Sequence, residues 1–225
     1  MPAPNVSPSI SRRAAGHAAL GDPARLAVVD ALLASDRTPT ELGHLIAIPS
    51  NLLAHHLDTL ATAGLIGRSR SSGDRRRRYV HLIRDALPGF TFGAGLLPQP
   101  ALFVCTQNSA RSQLAAALWT AMTGARASSA GTRPARHVHK LAVSAAKRAD
   151  LTLGRVRPRH LDDVTRKPAL VITVCDQVHE ELNPPAAWLH WSVADPVEDG
   201  HAAAFDASIR DLRRRIASLI GPVAA

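Results

Sequence analysis

Two cysteines, Cys105 and Cys175, are the only thiols in this chain of 225 residues, and each closes an apolar run. The first ends "ALFVC" and is followed six residues later by Arg111 and Ser112, where a helical pattern begins, "CTQNSARSQLAAALW". A buried strand ending at Cys105 and a helix starting near Arg111 leave Thr106, Gln107, Asn108, Ser109 and Ala110 as the connecting loop. Backbone N–H groups of such a loop and of the helix start converge on one point, a ready site for a tetrahedral oxyanion. Arg111 adds a planar, permanently charged fork that binds two oxygens. The same field favours thiolate over thiol at Cys105, so anion binding and nucleophile activation share one cause. Ser112 is placed to hydrogen-bond the thiolate, and Asn108 to hold the loop through side-chain to backbone bonds. A leaving oxygen needs an acid, and "HWSVADPVEDG" offers Asp195, stiffened by Pro196, with Glu198 and Asp199 as substitutes.

These residues need a frame that brings them together. From residue 101 onward, short apolar runs at 101–105, 125–131, 169–175 and 188–193 alternate with helix-length segments. That alternation implies a parallel sheet flanked by helices. Cys105 and Cys175 would then both emerge on the carboxyl rim, where ligands bind such sheets. Upstream, "LPGFTFGAGLLPQP" (87–100) holds three prolines and three glycines without a period and reads as a linker.

The preceding block has a different rhythm. Leu26, Val29, Leu32 and Leu33 fall at helical spacing after the start signal Asp22-Pro23, and a further helix is expected over 9–20. "TPTEL" makes a capping box, with Thr38 as cap, Pro39 next and Glu41 three residues on. After a turn at "IAIPS", Leu53, Leu57, Leu60 and Ala61 form the apolar face of another helix, closed by Gly64. Two strands follow around Ser71-Ser72-Gly73-Asp74, the second expected to begin with four arginines. Two helices, a short turn and a basic hairpin make the layout of a winged helix-turn-helix over residues 9–86, an α+β unit. Ser50, Asn51, His55 and His56 would reach bases, and Arg68, Arg70, Arg75, Arg76, Arg77 and Arg78 would neutralise phosphates.

Both blocks resemble known families. "ALGDPARLAVVDALL", "TELGHLIAIPSNLLAHHLDTLATAGLI" and the basic hairpin resemble ArsR-type repressors across about residues 14–84, which implies a homodimeric double-stranded-DNA-binding regulator. Metalloid-sensing members carry a cysteine pair on the helix occupied here by "TPTELGHL", whereas this block has no cysteine. The histidines show no ligand spacing, so no metal site is expected. The family's closing dimer helix is broken by "RDALPGF".

"CTQNSARSQLAAALW", "SSAGT" and "ADP" resemble the low-molecular-weight tyrosine phosphatase superfamily across residues 101–221. This implies Cys105 as nucleophile, Arg111 as oxyanion binder and Asp195 as acid. Gln113 after Arg-Ser is similar to the arsenate reductase branch, since phosphatases usually have proline there. The phosphatases' aromatic pair after Asp-Pro is replaced by Val197-Glu198. Gln107 stands where glycine is common and Ala110 where many relatives have a second loop cysteine. Ala116 replaces a glutamate that in some reductases helps bind potassium. Within this resemblance Cys175 could attack a Cys105–arsenate adduct, releasing arsenite and leaving a disulfide. Adjacent strands lie about 4.8 Å apart, which puts the pair within reach of the roughly 7 Å Cα limit if the strands are neighbours. The alternative resolving agent is an external thiol: mycothiol, glutathione or a thioredoxin system. No bound cofactor is expected.

Composition sets the outer bounds. No stretch approaches about 18 uninterrupted apolar residues, so no membrane span is expected, and the first sixteen residues lack a signal-peptide core. A cytoplasmic location is the expectation. The net charge of +9 divides into +4 over residues 1–98 and +5 over 99–225, so both halves suit acidic partners such as DNA, arsenate or phosphate. Two rivals to a regulator-fused reductase stay open. One is a phosphomonoesterase using Cys105, Arg111 and Asp195. The other is a repressor whose C-terminal domain only senses an oxyanion.

Overall fold

The computed structural model describes residues 7–86, 95–153 and 157–220. They fall into two compact units, one within Met1–Ser69 and Arg78–Gly93, the other within Arg70–Arg77 and Ala94–Ala225.

The first unit is built from four helices and a hairpin: α1 Pro8–Leu20, α2 Pro23–Ala34, α3 Pro39–Ile46, α4 Ser50–Thr62, β1 Ile66–Arg70 and β2 Arg78–Leu82. Local chemistry explains the breaks between them. Asp22 caps α2 by accepting from the Arg25 N–H at 3.0 Å. The Thr38 hydroxyl accepts from Glu41 N–H at 3.3 Å while Glu41 accepts from Thr38 N–H at 2.7 Å, the reciprocal capping box of the sequence pattern. Ala47 turns the chain between α3 and α4 with φ of 57°, and Gly64 ends α4 with φ of 73°. Val28, Val29, Leu32, Leu42, Leu53, Leu57, Leu60, Leu65, Ile66 and Val80 form one buried core. Leu26, expected on the inner face of α2, is instead 38% exposed, because the helix turns Val28, Val29 and Leu32 inward. β2 begins only at Arg78, so Arg75, Arg76 and Arg77 lie in the turn and not in the strand.

The second unit carries the parallel sheet expected for a phosphatase-like α/β fold. Strands β3 Ala101–Cys105, β4 Ala127–Gly131, β5 Leu170–Thr173 and β6 Leu189–His190 lie in the order β4-β3-β5-β6, all parallel. Helices α5 Arg111–Thr123, α6 Lys140–Arg148, α7 Asp176–Leu182, α8 Pro196–Asp199 and α9 Ala202–Ile220 complete it. The central strand β3 is buried along its whole length, as a strand covered on both faces must be. Phe103 sits between Trp119 and Trp191, with ring centroids 6.0 and 5.9 Å away. Aromatic pairs at this spacing contribute about 0.5–1.5 kcal/mol beyond their buried area.

Of the expected linker, residues 87–94 lie outside the described residues. The remainder packs on the second unit: Leu96 N–H donates to Leu219 C=O at 2.7 Å, and Gln99 C=O accepts from the Trp119 indole at 3.0 Å. No helix among the described residues is long and apolar enough to cross a membrane.

Candidate active site

The loop after β3 is held from outside by its carbonyls. Thr106, Gln107 and Ser109 C=O accept from Arg133, Ala135 and His139 N–H, each at 2.9 Å. In a trans peptide the following N–H points the opposite way, so the amides of Gln107, Asn108 and Ala110 are turned inward. Asn108 bears this out, its N–H donating to Cys105 Sγ at 3.2 Å. The inward turn requires Asn108 to adopt φ of 49°, a left-handed conformation that asparagine tolerates better than most residues.

Its fully buried side chain then locks the loop. Asn108 Oδ1 accepts from Arg159 N–H at 3.1 Å and from the Gln113 amide at 3.2 Å, while Nδ2 donates to Ser112 Oγ at 2.8 Å. Ser112 Oγ lies 3.0 Å from Cys105 Sγ. The sulfur therefore sits at the closed end of a relay running from Gln113 through Asn108 and Ser112. Gln113, read only as a branch marker in the sequence, has this structural task as well.

Arg111, the first residue of α5 and only 8% exposed, donates to Val193 C=O at 3.0 Å and to Asp195 Oδ2 at 2.5 Å. Asp195 also caps α8, its other oxygen accepting from Val197 N–H at 3.0 Å. The expected binder and the expected acid thus meet as an ion pair across the mouth of the loop. Cys105, Thr106, Gln107, Ser109, Ala110, Arg111, Gln177, Asp195, Val197 and Glu198 enclose a cleft of about 350 Å³. Asp199 does not line it.

Cys175 was expected to end a strand. β5 stops at Thr173, and Cys175 is the N-cap residue of α7. The premise behind its pairing holds, since β3 and β5 are neighbours with Val104 opposite Thr173. Both cysteines are free thiols. Thr106 links the two sites, with Oγ1 3.4 Å from Cys175 Sγ and donating to Gln177 Oε1 at 3.3 Å. Burial pushes the Cys175 thiol above its ordinary value, against the opposing pull of the Arg111 guanidinium. Behind it, His190 Nε2 lies 3.1 Å from Asp176 Oδ1, and Thr173 Oγ1 lies 2.9 Å from His190 Nδ1. Burial works against ionisation of Asp176, yet hydrogen bonds from His190 and the Ser72 N–H hold its carboxyl below the usual value. The Thr106 contact with Cys175, the residues Gln177 and Val193, and the bracing segment 133–139 were not singled out from the sequence. They contribute through backbone groups or short polar side chains that carry no spacing signature.

In the first unit, Ser50, Asn51 and His55 are exposed on the first two turns of α4. His56 is corrected: it is 6% exposed, with Nδ1 3.8 Å from Asp22 Oδ1, and faces inward instead of toward a partner. Arg68 pairs with Asp58 at 2.7 Å, and Arg76 with Asp74 at 3.1 Å. Arg70, Arg75, Arg77 and Arg78 are exposed. Among the described residues, no group of three or more His, Cys, Asp or Glu side chains is placed to hold a metal ion.

The family model for low molecular weight phosphotyrosine protein phosphatase matches residues 101–225. The chain belongs to this family. Solved structures similar to the phosphatase-family part include arsenate reductase from Archaeoglobus fulgidus DSM 4304, with 27% identity, a TM-score of 0.47, and coverage of 53% of this chain and 98% of that one. A low molecular weight protein tyrosine phosphatase from T. tengcongensis is 23% identical, with a TM-score of 0.48 and coverage of 54% and 97%. A tyrosine phosphatase from Erwinia amylovora is 20% identical, with a TM-score of 0.47 and coverage of 59% and 97%. No curated protein matches the chain.

Proposed function

We propose that this chain is a thiol-dependent arsenate reductase (residues 101–221) fused through 87–100 to an ArsR-type winged helix-turn-helix regulator (residues 9–86). The observation that carries the reductase reading is the second thiol: Cys175, the N-cap residue of α7 just past the end of the strand beside β3, has its Sγ 3.4 Å from the hydroxyl of loop residue Thr106. A phosphomonoesterase needs no such group. The replacement of an aromatic pair by Val197-Glu198 beside Asp195 also removes a stacking wall for an aryl substrate.

In the proposed reaction the anion displaces Asp195 from Arg111 and takes the inward amides of the loop. Cys105 thiolate attacks arsenic, forming an S–As bond as water leaves with a proton from Asp195. Cys175 or an external thiol then attacks the Cys105 sulfur. The S–S bond forms, the S–As bond breaks, and its electron pair stays on arsenic. The balance is one arsenate and two thiols to one arsenite, one disulfide and one water. A small thiol or a thioredoxin-type dithiol closes the cycle.

The test is arsenite release with thioredoxin and low-molecular-weight thiols compared, alongside a phosphomonoester assay. Reductant-dependent turnover with negligible ester hydrolysis is expected; the opposite pattern makes the chain a phosphatase. Cys175 is examined in single turnovers without added thiol. A thiol pushed upward stays protonated at neutral pH, so this step should accelerate as pH rises and keep accelerating past the pH where an ordinary thiol has ionised. Cys175→Ser should abolish it, whereas a wild type that releases arsenite only once an external thiol is added would assign resolution to the outside thiol.

For the regulator, support comes from exposed Ser50, Asn51 and His55 on α4 and the basic residues Arg68, Arg70 and Arg75–Arg78. Duplex DNA affinity should fall with a slope of about −0.9 in log K against log salt per phosphate neutralised. An affinity insensitive to salt would remove DNA as the partner.

A further inference from the structure

The segment Arg70–Arg77 is part of the second unit, and its polar atoms end on α7. Ser71 Oγ donates to Glu180 Oε1 at 2.7 Å. Ser72 N–H and Oγ donate to Asp176 Oδ2 at 2.8 and 3.1 Å. Asp74 N–H donates to Glu180 Oε2 at 2.6 Å. Gly73 fits because it has no side chain: a Cβ there would overlap Glu180 Oε2 and lie 3.1 Å from Gln177 Cα.

Four donors from Ser71, Ser72 and Asp74 therefore converge on two carboxylates. Clustered backbone N–H and hydroxyl donors of this kind serve carboxylate and phosphate oxygens alike. Arg70, Arg75, Arg76 and Arg77 flank the turn and are exposed, so a polyanionic strand reaching these donors meets added positive charge. We propose that Ser71–Asp74 is a phosphate-class anion site, masked in this conformation by Asp176 and Glu180. A phosphate of a DNA backbone and the two carboxylates compete for the same four donors, and the carboxylates also repel the incoming strand. Helix α7 thus opposes DNA binding by the basic turn. The inference rests on the proposed regulator for its natural occupant, but the site itself has a test that does not.

Two variants open the site from opposite sides. Glu180→Gln removes a charge and an acceptor from a partly exposed side chain of α7, and Gly73→Ala lifts the turn while leaving α7 unchanged. Thermal melts establish that each is folded. Hydrogen exchange is followed at the Ser72 and Asp74 amides, and binding is measured to a short random-sequence duplex and to heparin at one salt concentration. The Asp74 amide should exchange about tenfold faster in both variants and the Ser72 amide likewise in Gly73→Ala, the scale of one lost hydrogen bond, and both variants should bind the duplex about threefold or more tighter. Unchanged exchange in both variants overturns the proposal, as does faster exchange with unaltered affinity in a protein that binds DNA. If no form binds the duplex but the variants gain heparin affinity, the DNA reading falls and the masked site stands. If no form binds either polyanion, both fall.

Discussion

Cys105→Ser is expected to lower arsenate turnover by at least about 10³-fold, because a serine hydroxyl is a weak nucleophile unless a base activates it. Oxyanion affinity should stay within a few-fold of wild type. The donors that bind the anion belong to the loop, and the loop is fixed by groups other than the sulfur. Its carbonyls are bonded to Arg133, Ala135 and His139, and Asn108 is clamped by Arg159, Gln113 and Ser112. Serine also preserves the local polar contacts: an oxygen at this position can take the Asn108 N–H and share a hydrogen bond with Ser112. The measurement pairs reductant-dependent arsenite release with calorimetric titration of phosphate, which has nearly the shape and charge of arsenate. Retained turnover would transfer the nucleophile's role elsewhere. Lost binding alongside lost turnover would mean that Cys105 holds the loop instead of reacting from it. The same variant separates an enzyme from an oxyanion sensor, since a sensor would keep its response to the anion without any turnover to lose.

The parts of this site legible in the sequence were those with rigid spacing requirements. A strand, a five-residue loop and a helix opening on Arg111 can be read directly, because only a short loop there brings the amides and a guanidinium to one point. The capping boundaries at Asp22 and Thr38 were legible for the same reason, as local hydrogen bonds with fixed offsets. Pairings across the fold were not. The ion pair of Arg111 with Asp195 joins residues 84 positions apart, and nothing in either segment announces it. The contact of Thr106 with Cys175 depends on β3 and β5 being neighbours, which follows from sheet order and not from any motif. Leu26 and His56 were misplaced because helical spacing fixes a stripe of residues but leaves its edges open. Both residues lie at such edges, where neighbouring helices decide which side is covered.

Gly131→Ala is expected to harm catalysis far more than stability. Gly131 ends β4 directly opposite Cys105 in the parallel register. A Cβ there would sit 2.5 Å from Thr106 C=O, 3.0 Å from Asn108 N and 3.1 Å from Asn108 Cβ. These are backbone or near-backbone atoms, so no flexible side-chain end can move aside and the anion loop itself must shift. Overpacking of this kind costs about 1–3 kcal/mol, enough to lower Tm by several degrees without unfolding the domain. The displaced atoms include the amide that donates to Cys105 Sγ, and a misplacement near 1 Å in a reacting array costs about 10²-fold in rate. Gly124→Ala is the matched control. It strains a left-handed position, φ of 71°, at the end of α5 with open space around it, so it should cost about 1 kcal/mol and leave turnover intact. Comparing Tm and kcat/KM for the two variants separates loop geometry from general weakening of the fold. Equal loss of turnover in both would mean that stability alone governs activity. Full turnover in Gly131→Ala would show that the loop can give way at Thr106 and Asn108 without disturbing the thiolate.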